Sequence, residues 1–292
     1  MASAADSAVD LVSQVVISYT EWQMNVADPQ FPVGQARLEA LGVLACACVM
    51  AVASFEVVAE SCSVLYKGLA QGELPVLQLG PVMYAVLGSA TVAKLVCFVV
   101  CNALKGRSDS MLALAEDHIN DVMSNLAAVG AAAATTLVQG GWWIDSSSAM
   151  AISVWICWRW FTIARTQVHK LVGRGAPAEF IEQLKRIADE HHENLAVDVV
   201  RAYHFGTRYL VEMEVVLPAQ WTLQQSHDVA LMLQHKVEAL EDVERAFVHT
   251  DYTTRDYPEH KVERALGLHS SGSGSGLLPP NLLASVGSAA LE

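Results

Sequence analysis

Apolar residues run in long blocks over the first 165 positions and in short amphipathic patterns from there to about residue 262. A bilayer core needs about 20 predominantly apolar residues per helix. Five segments reach that length: 5–24, 38–66, 80–104, 111–138 and 142–164. Trp142 and Trp143 fall at one end of the last segment, and Trp155, Trp158 and Trp160 toward the other, as in interfacial aromatic belts. Beyond Gly175 the period changes. Pro177 opens a helix with Glu179 and Glu182 near its first turn and Phe180, Leu184 and Ile187 as its apolar stripe. Residues 197–203 read as a strand. Residues 208–217 alternate, with Tyr209, Val211, Met213, Val215 and Leu217 on one face and Glu212 and Glu214 on the other. Thr222 and Gln225 form a capping-box pattern before a helix striped by Val229, Leu233, Val237 and Leu240, and 246–252 close as a third strand. The expectation is an α-helical membrane bundle (1–165), a small α+β domain (166–262) with helices on one side of a sheet, and a flexible tail (263–292) rich in Ser, Gly and Pro.

Composition supports the division. Only 17% of the 292 residues are charged while 53% are hydrophobic, and the charge is sparse before about Arg165. Soluble domains carry about 25% charged residues. A net charge of −13 excludes the basic footprint of a nucleic-acid partner. All six cysteines lie in the apolar half and none forms a CxxC pair; Cys97 and Cys101 read as small packing residues before they read as soft-metal ligands. No basic region precedes the first apolar stretch, so no cleavable signal peptide is expected. Arg37, Lys105, Arg107, Arg159, Arg165 and Lys170 fall on one set of membrane ends, which makes those ends and the C-terminal domain cytoplasmic.

Acidic residues inside the apolar blocks carry the chemistry. Asp117 and Asp121 stand at i and i+4, on one helix face, with Asn125 one turn further. An aspartate at bilayer depth costs about 2.5–3.5 kcal/mol on insertion scales. Asp6 and Asp10 repeat the spacing at the start of the first segment; the alternative for this pair is a helix cap and a solvated first turn. Two such faces together supply oxygen donors for one divalent cation. Lys94 lies in mid-segment, where a buried ammonium must pair, and Glu56 or Glu60 on the preceding helix is the expected structural or gating partner; snorkelling to water is the alternative. His118 is set about a hundred degrees round the helix from Asp117 and is read as outside the ligand set. His249 and Asp251 share a strand face that His227 could approach, while His191 and His192 read as a solvated helix end. An intramembrane hydrolase or di-metal oxidase would need a nucleophile or Glu-x-x-His ligands, which are not found.

In this order the motifs Asp6-Ser-Ala-Val-Asp10, Phe31-Pro-Val-Gly34, Arg37-Leu-Glu39, Glu60-Ser61, Asp117-His-Ile-Asn-Asp121-Val-Met-Ser-Asn125, Trp143-Ile-Asp145 and Val248-His-Thr-Asp251 resemble the cation diffusion facilitator (cation efflux) family. The resemblance covers roughly residues 3–262 and is strongest to plant-type metal tolerance proteins of the manganese group. It implies a secondary transporter rather than an enzyme, a homodimer carrying divalent metal out of the cytosol against protons. It also implies a ferredoxin-like, metallochaperone-like cytoplasmic domain and a vacuolar, Golgi or other endomembrane location. Asp6, Asp10, Asp117 and Asp121 would form the transport site, and four aspartates suit Mn²⁺ better than an imidazole-rich set, with Fe²⁺, Zn²⁺ or Co²⁺ as further cargo. The resemblance also implies a zinc-binding role for a His-x-Asp pair such as His249 and Asp251. The family has six membrane helices, so the first helix is expected to be missing here, and a non-transporting partner subunit or metal sensor is the alternative function.

Overall fold

The computed structural model describes residues 2–72, 81–138 and 141–254. It divides into two units, one of residues 1–174 with the turn 204–208, the other beginning at Gly175. The division falls at Arg174/Gly175 because the last long helix runs on to Leu171, past the boundary expected at 165. The expected tail lies outside the described residues.

The first unit is built of α1 (Ala2–Met24), α2 (Arg37–Tyr66), α3 (Pro81–Leu104), α4 (Asp109–Leu137) and α5 (Trp143–Leu171). At 1.5 Å per residue even α1 is about 35 Å long, enough to cross a bilayer. Among the described residues, only α2 with its π-helical extension Lys67–Gln71 and the Ala85–Leu104 part of α3 are also apolar enough by composition to cross a membrane. The other three helices fall short because they bear the acids and serines. The π-helical turn has no signal in the apolar pattern, which is indifferent to whether a bond closes at i+4 or i+5.

Helix α2 packs chiefly on α5 and α1, and α3 on α4. Ile17, Val43, Cys46, Ala47, Met50, Ala113, Ile156 and Trp160 form the core of this unit. Glycine sets the closest approach: a Cβ on Gly42 would overlap the Thr20 side chain, whose hydroxyl is held by the Val16 and Ile17 carbonyls at 3.1 and 3.0 Å. Polar ties fix the register of the helix ends. Ser108 caps α4, accepting from the Ser110 and Met111 amides at 3.1 and 3.4 Å, while its hydroxyl donates to buried Glu39 of α2 at 2.7 Å. Asp109 accepts from Lys170 at 2.6 Å and Gln167 at 3.0 Å on α5, and Arg159 pairs with Glu116 one helical stretch deeper. The C-terminal end of α5 and the N-terminal ends of α2 and α4 therefore share one side, where Arg37, Lys105 and Arg107 also gather.

The second unit follows the expected order: α6 (Ala178–Asp189), β1 (Ala196–Phe205), β2 (Arg208–Val216), α7 (Leu223–Glu238) and β3 (Val243–Asp251). The strands lie in the order β1-β2-β3. A two-residue turn joins β1 to β2, with Gly206 at φ 73° supplying the left-handed position. Strand β3 pairs parallel to β2, Val211 opposite Ala246 and Met213 opposite Val248, so α7 is the crossover between them. The Thr222 capping box closes as read, with Gln225 N–H donating to the Thr222 hydroxyl at 3.2 Å and Thr222 N–H to the Gln225 side chain at 2.9 Å. Val211, Met213 and Val215 meet Leu184, Leu233 and Val237 in a closed core. The opposite face carries Arg201 paired with Glu214 at 2.6 Å and Tyr203 donating to Glu212. Burial, and then that bond to a carboxylate, push the Tyr203 phenol up to about 12.

Gly42→Val is expected to push α1 off α2. Because α1 carries Asp10, the substitution should lower the melting temperature of the detergent-solubilised protein and weaken cation binding, whereas Gly88→Ala, where an added Cβ meets nothing, should do neither.

Candidate metal centre

Helix α4 presents Asp117 and Asp121 on one face, and α1 brings Asp10 toward them. Lys94 of α3 joins the two helices: its ammonium donates to Asp10 Oδ2 at 2.9 Å and forms a close ion pair with Asp121. Asp117 differs. It is 2% exposed and neither carboxylate oxygen has a hydrogen-bond partner among the described residues. Burial of an unbonded carboxylate is costly, and such a group calls for a cation or a proton.

Two features depart from the sequence reading. Lys94 does not pair with Glu56 or Glu60, both of which are exposed on α2. The reason is topological: α3 takes α4 as its main neighbour, and proximity in sequence to α2 does not make α2 its partner. His118 is not turned away from the centre. One of its ligand atoms lies within 4.8 Å of a carboxylate oxygen of Asp117 and of Asp121, the residue is 7% exposed, and its Nδ1 has no hydrogen-bond partner among the described residues. An imidazole extends far enough from its Cα to span an angular offset that excludes a shorter side chain. Among the described residues this is the group of acidic, histidine and cysteine side chains that converges as a metal site would.

The other expected residues are placed as follows. The side chain of Asp6 lies outside the described residues, although its backbone is in α1, one turn before Asp10. Asn125 is half-buried one turn beyond Asp121. Asn120, not singled out from the sequence, is 2% exposed, and neither amide atom has a partner among the described residues. Its signal was there: it is three residues from Asp117, on the neighbouring ridge of the same helix face. In the second unit His227 is exposed and faces Asp228 at 3.3 Å, His249 is exposed, and Asp251 accepts from the Tyr252 amide at 2.7 Å. These three do not converge on one point within a single chain.

A cavity of about 540 Å³ adjoins the centre, lined by Gln14 and Ser18 of α1, Lys94 and Cys97 of α3, and Leu114 and His118 of α4. Gln14 and Ser18 continue the Asp10 face at i+4 and i+8, toward the end of the bundle where α4 begins. Cys97 and Leu114 lie on that side as well, since α3 ends and α4 starts there. A cation approaching from that end would meet His118 and Lys94 on reaching the aspartates.

Residues 1–172 match the cation efflux transmembrane domain and residues 176–252 the cytoplasmic domain of cation efflux proteins. Metal tolerance protein 7 of Oryza sativa subsp. japonica is 35% identical over 267 residues, covering 90% of this chain and 66% of the relative. Metal tolerance protein 11 of Arabidopsis thaliana is 34% identical over 262 residues, covering 89% and 65%. Metal tolerance protein 5 of Oryza sativa subsp. japonica is 34% identical over 264 residues, covering 90% and 62%. The chain thus spans a little under two thirds of the length of these relatives.

Removing a buried carboxylate that has no partner among the described residues should cost no stability, whereas removing the lysine that pairs with two others should cost much. In thermal melts of the cation-free protein, Asp117→Asn is expected to leave the melting temperature unchanged or higher and Lys94→Ala to lower it. A drop for Asp117→Asn as large as that for Lys94→Ala would contradict this reading of the centre.

Proposed function

This chain belongs to the cation efflux family, and we propose that it moves a divalent metal cation, foremost Mn²⁺, out of the cytosol in exchange for protons. The observation that carries the reading is the grouping of Asp10, Asp117 and Asp121 from two helices around one positive charge, beside a cavity on the side where the basic helix ends gather. Asp6, one turn before Asp10, is the fourth acid of the set. Oxygen donors favour Mn²⁺ by hardness, and the nearby imidazole of His118 extends the acceptable cargo to Fe²⁺, Co²⁺ and Zn²⁺.

In this mechanism deprotonated aspartates take the ion from the cytosolic side, and the helices rock to open the site on the other. Protons then replace the ion on the same carboxylates. Competition of metal and proton for one ligand set is sufficient to couple their flows. Asn125 and Asn120 orient the ion or its remaining waters. The match to a cytoplasmic domain supports a homodimer with the second unit in the cytosol; the membrane proposed for it is vacuolar, Golgi or another endomembrane. A metal held by His227, His249 or Asp251 would need ligands from a second copy, because one chain does not gather them.

The test is proton-driven Mn²⁺ uptake into proteoliposomes. Asp121→Ala should reduce it to the level of protein-free vesicles while the elution volume on size exclusion stays that of the parent. Retained exchange would refute the assignment.

A further inference from the structure

A cation already sits among the aspartates, and it belongs to the protein. We propose that the Lys94 side chain is a tethered counter-cation that occupies the aspartate set in the ion-free state and has to withdraw before a divalent ion is fully coordinated. The inference rests on the reading that Asp10, Asp117 and Asp121 bind the transported ion, and adds how that site is kept closed when empty.

Three observations support it. Lys94 bonds Asp10 and Asp121 at once, so it engages oxygen donors from α1 and from α4, the two helices a shared metal ion would have to bridge. Asp117, on the same face, remains without any partner among the described residues, so the lysine satisfies part of the set and leaves an acceptor open for an incoming ion. Lys94 and His118 both line the cavity beside the centre, which gives the displaced ammonium a volume to enter, where Gln14 and Ser18 are the polar groups among mostly apolar neighbours. Lysine suits this task better than arginine. Its charge is compact and its four-carbon stem is flexible, whereas a planar guanidinium would lock onto a carboxylate through two bonds.

The ammonium and the metal ion compete for the same oxygens. Deleting the lysine charge should therefore raise metal affinity, and binding the metal should free the lysine, by linkage. The site gains two consequences. One ammonium shared by two carboxylates lowers the net charge of the set without a bound ion, so the empty bundle holds less uncompensated charge in lipid. Ions that bind weakly are refused, because only a cation of sufficient charge density displaces the ammonium.

The experiment has two arms on the full chain in detergent, with Mn²⁺ as the probe. In the first, equilibrium Mn²⁺ binding is compared for the parent, Lys94→Met and Lys94→Arg. Lys94→Met is expected to bind on the order of tenfold or more tightly, the scale of an ordinary coupling free energy, and Lys94→Arg no more tightly than the parent. Equal or weaker binding by Lys94→Met overturns the inference. The second arm needs no folded variant. Acetylation of Lys94 in the parent, read by peptide mass spectrometry, should rise severalfold when Mn²⁺ is added; unchanged or reduced acetylation overturns the inference. If the parent binds no Mn²⁺ at all, the transport reading itself falls and this inference with it. Binding by the parent with either overturning result defeats this inference alone.

Discussion

Charge buried in an apolar bundle has to be neutralised, and the membrane unit of this protein is organised around that requirement. Acids occur along α1, α2, α4 and α5, and those that reach another helix are answered there by a named group, whereas buried Asp117 has no partner among the described residues. Glu39 is answered by Ser108, Asp109 by Lys170 and Gln167, Glu116 by Arg159, and Asp10 and Asp121 jointly by Lys94. The exception stands where a transported cation would be bound. Elsewhere the acids tie helices together; at Asp117 the fold leaves a demand unmet.

The two units solve different problems with different means. The second closes a core from alternating strand residues and two helix stripes, driven by water, with a full capping box at the α7 start. In the first unit lipid takes the place of water, so apolar contact alone offers little advantage. Close approach at Gly42 and directional polar ties at the helix ends take over the task of specifying the arrangement.

Much of this was legible in the sequence. Five long helices, the order helix–strand–strand–helix–strand, and the apolar face of β2 all follow from periodicity, because burial on one face imposes a 3.6- or 2-residue rhythm that neighbours cannot disguise. The i, i+4 aspartates were legible for the same reason. What periodicity does not encode is which helices are neighbours, and the partner of Lys94 was misassigned on that account. His118 was misplaced for a related reason: a helical wheel locates Cβ atoms, while ligation depends on atoms several bonds further out. The π-helical turn at Lys67–Gln71 leaves the composition of α2 unaltered and so left no trace.

The polar ties between helices have an uneven distribution along the bundle. Among the described residues, every ion pair that joins two membrane helices lies between the level of Asp121 and the end where α4 begins. Past Asp121, toward Leu137 and the start of α5, a thiol–thioether contact joins Cys62 of α2 to Met150 of α5 at 3.7 Å. The bundle therefore resembles a clothes-peg with its spring at one end. Parting the helices at the end beyond Asp121 severs no ion pair among the described residues, and lipid tails replace apolar neighbours with little loss, so that end is the mechanically compliant one.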